Sequence, residues 1–191
     1  MSVSIILRPL LPGDFPAFRQ LYESAFPLSE RKELSFMTDG PHADAYELSV
    51  IETPETAVAG LVITVSHGDF VLLDYLAVQP DLRSRGLGHA VLPLLMKRCR
   101  EKNTRAHVFL EIETPMDCCE NPLQRVRRKE FYLSCGFAET FVRAHIYDTD
   151  MELLAMPADV PYVTLRAYAE LLHATFPADM LSGWNQQQNR T

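Results

Sequence analysis

Apolar residues recur at intervals of three and four from Phe15 to Phe26: Phe15, Phe18, Leu21, Tyr22, Ala25 and Phe26. This spacing predicts an amphipathic helix, with Asp14 at its N-cap and Pro27 beyond its end. Ahead of it, Val3 to Leu7 is a β-branched run followed by Pro9, Pro12 and Gly13, the pattern of an opening strand and a turn. Ser29, followed by Glu30, Arg31, Lys32 and Glu33, predicts a second, short helix capped by the serine.

The pattern then changes period. Ala45 to Ile51 and Ala57 to Val65 are strand-like runs around the polar stretch Glu52 to Thr56, and they predict an antiparallel hairpin. Phe70 to Val78 is apolar except for Asp74 and Tyr75, as expected of a central strand covered on both faces. Gly86 to Arg100 has a helical stripe of Leu87, Ala90, Val91, Leu94, Leu95 and Arg98, with Pro93 far enough inside to predict a kink. Arg105 to Ile112 reads as a strand, Pro122 to Cys135 as a basic helix closed by Gly136, and Phe137 to Tyr147 as another strand. Met151 to Met156 is a last strand, Tyr162 to Phe176 a terminal helix, and Asn185 to Thr191 a polar tail. The order β-α-α-β-β-β-α-β-α-β-β with a final helix predicts one mixed α/β sheet with helices on both faces.

Composition adds mainly exclusions. A chain of 191 residues with 47% hydrophobic and 23% charged residues can bury a full core without staples. A net charge of −7 disfavours a nucleic-acid surface, and no apolar stretch approaches the length of a membrane span. The N-terminal run is too short and has the wrong charge order for a secretory leader, so the expected location is cytoplasmic. Cys99, Cys118, Cys119 and Cys135 lack C-x-x-C spacing, and His67, His89, His107, His145 and His173 lack the spacing of a metal site; no metal and no disulfide framework is expected.

The chemistry concentrates where the central strand meets the next helix. Arg83-Ser84-Arg85-Gly86-Leu87-Gly88 is a basic, glycine-containing loop running into a helix start. Glycines allow close backbone approach, a helix start offers N–H groups and positive potential, and two arginines add charge, so the segment predicts an anion site. A turn with solvated arginines is the alternative. The segment is neither a Walker P-loop nor G-x-G-x-x-G.

The loop resembles the R/Q-x-x-G-x-G/A element of the GNAT superfamily of N-acetyltransferases, and Glu130-Phe131-Tyr132-Leu133-Ser134-Cys135-Gly136-Phe137 resembles that family's Y-x-x-x-G-F element. The likeness covers roughly Val3 to Met156. It implies the GNAT fold in a domain spanning residues 1–157, with residues 158–191 as a C-terminal helix and tail, part of that domain or appended to it. It implies that Arg83 to Gly88, with His89 beside them, hold the pyrophosphate of acetyl-CoA. It also implies that the backbone of Leu76, Ala77 and Val78 meets the pantetheine arm, and that Tyr132 protonates the departing CoA thiolate. The implied acceptor is a primary amine of a small molecule or peptide, with neither nucleic acid nor membrane as partner; a homodimer is compatible with it. The alternative is a module that binds CoA or acyl-CoA as a sensor without efficient turnover.

An acceptor amine must lose a proton before it attacks, so a carboxylate base is needed. Asp74 is the first candidate, being the one acid in a core-like strand; a structural carboxylate satisfied by backbone donors is its alternative. Glu111 and Glu113, two apart and so on one strand face, are the others, against the alternative of an exposed sheet face. Arg125, Arg127, Arg128 and Lys129 spread around a helix and read as a solvated face, with contact to the CoA phosphates as the alternative.

Overall fold

The computed structural model describes residues 4–115, 121–146, 149–156 and 165–176. Its strands are β1 (Ile6–Pro9), β2 (Tyr46–Thr53), β3 (Thr56–His67), β4 (Phe70–Val78), β5 (His107–Glu113), β6 (Ala138–Ile146) and β7 (Thr149–Met156). Its helices are α1 (Phe15–Ala25), α2 (Leu34–Asp39), α3 (Leu87–Lys102), α4 (Pro122–Ser134) and α5 (Leu165–Thr175). The chain order is the one the hydrophobic pattern predicts. The strands form one sheet in the order β1-β2-β3-β4-β5-β7-β6, so the long apolar strand β4 is in the middle. The sheet is mixed: β4 and β5 are parallel from Phe70 to Leu72, while β1 with β2, β2 with β3, β5 with β7 and β6 with β7 are antiparallel.

Two compact units make up the chain. The first holds β1 to β3, α1, α2, β4 from Leu73 onward, and α3; the second holds Phe70–Leu72, β5, α4, β6, β7 and α5. In the first, the predicted stripe of α1 buries Phe18, Leu21 and Tyr22. The buried face of α3 is Leu87, Val91, Leu92, Leu95, Met96 and Cys99, rotated slightly from the predicted stripe, with Pro93 exposed inside the helix. Arg98, on the predicted stripe, is half-buried, its guanidinium donating to the Leu7 carbonyl at 3.3 Å and pairing with Glu47. In the second unit, Val108, Phe109, Leu110 and Ile112 of β5, Leu153 and Leu154 of β7, and Tyr168, Leu171 and Leu172 of α5 are buried. Among the described residues, no helix is long and apolar enough to cross a membrane.

Three expectations shift. The first strand begins at Ile6, and Arg8 fixes it by binding Asp14 and Glu52. Asp14 therefore does not cap α1 with its side chain; its carboxylate serves Arg8 and the Leu11 N–H. The second helix does not start at Ser29. Residues Leu28–Glu30 form a single 3₁₀ turn, and α2 starts only at Leu34. The reason is tertiary: the Lys32 N–H donates to the hydroxyls of Tyr22 and Tyr75, at 3.0 and 3.1 Å, and the Glu30 carbonyl accepts from Tyr75 at 2.7 Å. Those backbone groups are held by tyrosines rather than by a helical ladder. Cys118 and Cys119, Tyr147, Tyr162 to Thr164 and the tail from Asn185 lie outside the described residues.

The pairing of β6 with β7 is interrupted between Glu139 and Arg143. Here Thr140 Oγ1 donates to the Leu153 carbonyl at 2.7 Å and accepts the Val142 N–H at 3.1 Å, while Phe141 takes a left-handed φ of 60° and is 80% exposed. This is a β-bulge.

Candidate active-site elements

At the end of β4 the side chains alternate: Leu73, Tyr75 and Ala77 are buried, and Asp74, Leu76 and Val78 lie half-buried on the other face. Gln79 continues the strand by donating its N–H to the Ala59 carbonyl at 2.9 Å and its side-chain amide to the Val58 carbonyl at 3.0 Å. A 3₁₀ turn at Pro80–Leu82 then reverses the chain. The loop that follows has two left-handed residues, Ser84 at φ 60° and Gly86 at φ 84°. Such backbone is natural for glycine and uncommon for serine. Arg83, Ser84, Arg85 and Gly86 are all exposed, whereas Leu87 is buried and anchors the first turn of α3. The Gly86 carbonyl accepts the Ala90 N–H at 3.0 Å, so the loop leads without a break into a helix of 16 residues. Arg83 Nε donates to the Val78 carbonyl at 3.1 Å. Exposed arginines, left-handed backbone and the positive end of a long helix together suit a phosphate-rich ligand.

Behind the same strand lies a polar cluster. Lys32 Nζ donates to both oxygens of Asp74, at 2.7 and 2.5 Å, and rests 5.3 Å from the centre of the Tyr75 ring. The rings of Tyr22, Phe26 and Tyr75 pack edge to face or tilted at 4.9 to 5.7 Å. Burial raises the phenol of Tyr22 to about 12 and those of Tyr75 and Tyr46 further, with the Asp74 charge adding to each. Asp74 is thus a carboxylate whose partner is a side-chain ammonium rather than backbone donors. The sequence indicates that a buried Asp needs a partner, but not that Lys32, 42 residues earlier, is that partner.

In the second unit, Glu111 and Glu113 share a face of β5, as their spacing predicts, and stand opposite Leu153 and Met151 of β7. Neither is on an open sheet face. Glu111 accepts from the Tyr168 hydroxyl of α5. Glu113 pairs with Arg125 at 2.8 Å and Arg128 at 3.4 Å on α4. Lys129 joins Glu152 at 2.9 Å and also Glu139. The basic run is therefore largely a set of ion pairs to the sheet, with Arg127 left on the exposed side.

Tyr132 is near the end of α4, its ring edge-on to Phe131 at 4.9 Å and to Phe137 at 5.6 Å. Its carbonyl accepts the N–H of Phe137 at 3.2 Å, and Gly136 turns the chain at φ 93°, so the helix end and the start of β6 hold the tyrosine from both sides. Burial raises its phenol to about 12, against a smaller opposite effect of Arg128. The group stays protonated through the neutral range.

Comparison with known proteins bears on the family and the fold. Residues 15–137 match the model of the acetyltransferase (GNAT) family. A search of curated proteins found no match. Among solved structures, a protein from Bacteroides thetaiotaomicron assigned to the GNAT family aligns with a TM-score of 0.70 and 19% identity, over 88% of this chain and 96% of its own. The spermidine N-acetyltransferase of Vibrio cholerae, in complex with CoA and spermine, aligns at 0.64 and 14% identity, over 80% and 94%. The ribosomal-protein-alanine N-acetyltransferase of Escherichia coli aligns at 0.61 and 23% identity, over 85% and 99%. At these identities the structural likeness speaks for the fold.

Proposed function

The chain belongs to the GNAT acetyltransferase family, and from that premise we propose that it transfers the acetyl group of acetyl-CoA to a primary amine of a small molecule or peptide, by direct attack in a ternary complex. The observation that carries this reading is the loop Arg83–Gly88, exposed, arginine-bearing and left-handed at two residues, in front of α3. In this reading the arginines and the N–H groups of Leu87 and Gly88 hold the pyrophosphate, His89 flanks them, and the backbone of Leu76 to Val78 aligns the pantetheine arm.

Attack by the neutral amine on the thioester carbonyl forms the new C–N bond, and the C–S bond breaks with its electron pair on sulfur. Tyr132 is assigned to give that sulfur a proton, a task suited to a phenol that remains protonated at working pH. The amine's own proton goes to a carboxylate, directly or through water. Three carboxylates are candidates for that base: Asp74, paired with Lys32; Glu113, paired with Arg125; and Glu111, which accepts from the Tyr168 hydroxyl.

A thiol-release assay with acetyl-CoA against panels of amino acids, polyamines, aminoglycosides and peptides tests the reading. Acceptor-dependent release is expected, lost by roughly 10² or more in at least one of Asp74→Asn, Glu111→Gln and Glu113→Gln. Tight acetyl-CoA binding with no release for any amine would instead mark a binding module.

A further inference from the structure

Helix α4 carries Tyr132, yet none of its 13 residues is buried. A helix on a sheet is ordinarily fixed by an apolar stripe, and on α4 charged groups take that place. Arg125 and Arg128 reach Glu113 of β5, while Lys129 donates to Glu152 of β7 at 2.9 Å and pairs with Glu139 of β6. Phe137, the buried neighbour of the Tyr132 ring, lies beyond the helix end.

The Lys129 contacts differ in depth. Glu139 is exposed, whereas Glu152 is 8% exposed and its Oε1 is buried without a partner. A buried carboxylate with an unfilled acceptor adds little net stability, because the cost of taking it out of water offsets the attraction of the pair. What such a pair supplies is direction: the ammonium has one place on the sheet where it belongs. Lys129 and Tyr132 are three apart on α4 and so are neighbours on its surface. Seating the lysine therefore fixes the rotation of the turn that presents the phenol.

We propose that Lys129 is a positioning residue for Tyr132, its ammonium on buried Glu152 setting how α4 lies against β6 and β7. The proposal rests on the acetyltransferase reading above, in which Tyr132 protonates the departing sulfur, and adds to it a residue that acts only through that tyrosine.

The test uses the full chain with Lys129→Met and Glu152→Leu combined. This double variant buries no charge, so its melting temperature should equal or exceed that of the wild type. An apolar contact has no preferred direction, so kcat should nonetheless fall by about tenfold or more, with the acetyl-CoA dissociation constant within about threefold. Lys129→Arg keeps the charge and should stay within about threefold of the wild-type kcat. In a Tyr132→Phe background the double change should cost less than about twofold, since the phenol it would misplace is gone. Fluorine NMR of the chain made with fluorotyrosine reads the placement without turnover. The Tyr132 signal, identified by its loss in Tyr132→Phe, should shift or broaden in the double variant. A kcat that survives in the double variant, an equal loss in the Tyr132→Phe background, an unmoved Tyr132 signal, or a double variant that melts well below the wild type overturns the proposal. A Tyr132 signal that moves in a chain that acetylates no amine keeps the placement by Lys129 and removes the transferase reading.

Discussion

Lys32 spans both carboxylate oxygens of Asp74, at 2.7 and 2.5 Å, with the two side chains only 10% and 9% exposed. The pair ties the 3₁₀ segment after α1 to the central strand, because the backbone of the same lysine is held by Tyr22 and Tyr75. Lys32→Met leaves Asp74 buried with no counter-charge, and should cost about 3–5 kcal/mol in urea unfolding. Adding Asp74→Leu should recover most of that loss, since the double variant buries no charge. A single-variant cost below about 1 kcal/mol would mean that water screens the pair as it does on a surface.

Gly86→Asp puts a side chain into left-handed backbone and a negative charge where a pyrophosphate is proposed to lie. Affinity for acetyl-CoA should fall at least tenfold, about 1.4 kcal/mol, in calorimetry on the folded variant. Unchanged affinity would remove the loop from the donor site.

Tyr132→Phe keeps the ring against Phe131 and Phe137 and deletes the hydroxyl. If the phenol acts on the departing thiolate, kcat should drop by roughly 10² to 10⁴ while the acetyl-CoA dissociation constant stays within about threefold. Acyl donors with more acidic leaving thiols should lose less. Turnover at the wild-type rate, with chemistry limiting, would make this tyrosine structural.

Alkaline stability follows from groups raised by burial. Cys99 is pushed from an ordinary 9.0 to about 11, and Tyr22 and Tyr132 from 10.0 to about 12. Above the ordinary values the unfolded chain loses these protons first, so the native state binds more protons and its stability falls as pH rises. The effect is absent below about pH 9 and sets in from there to about 12, with a slope of at most about 1.4 kcal/mol per pH unit for each group. Urea midpoints that stay flat from pH 9 to 11 would contradict it.

The fold was legible because its elements have strong periods: the β4 run, the stripe of α1 and the hairpin at Glu52–Thr56 each contain enough apolar residues to fix type and order. The donor loop was legible for a different reason, since its residues are contiguous and their chemistry is local. What was hidden depends on partners distant in sequence. Nothing near Lys32 announces Asp74, and nothing near Glu111 announces Tyr168, 57 residues on. The late start of α2 is hidden likewise, because tyrosines from α1 and β4 bind the backbone that Ser29 to Glu33 would otherwise wind. Gly60 is another such case: a Cβ there would meet the Ala77 carbonyl oxygen at 2.6 Å, a closeness visible only once the strands are paired.

Since β6 is the last strand of the sheet, its outer side offers main-chain groups to any passing chain. The bulge at Thr140–Val142 breaks that offer in the middle of the strand, because Phe141 in left-handed backbone cannot supply the regular spacing an incoming strand would need. The exposed phenylalanine therefore sits where the sheet stops being a template. Restoring regular pairing there, by deleting the two extra residues between Glu139 and Arg143, would give a longer, smoother border and a chain more prone to associate edge to edge into insoluble assemblies.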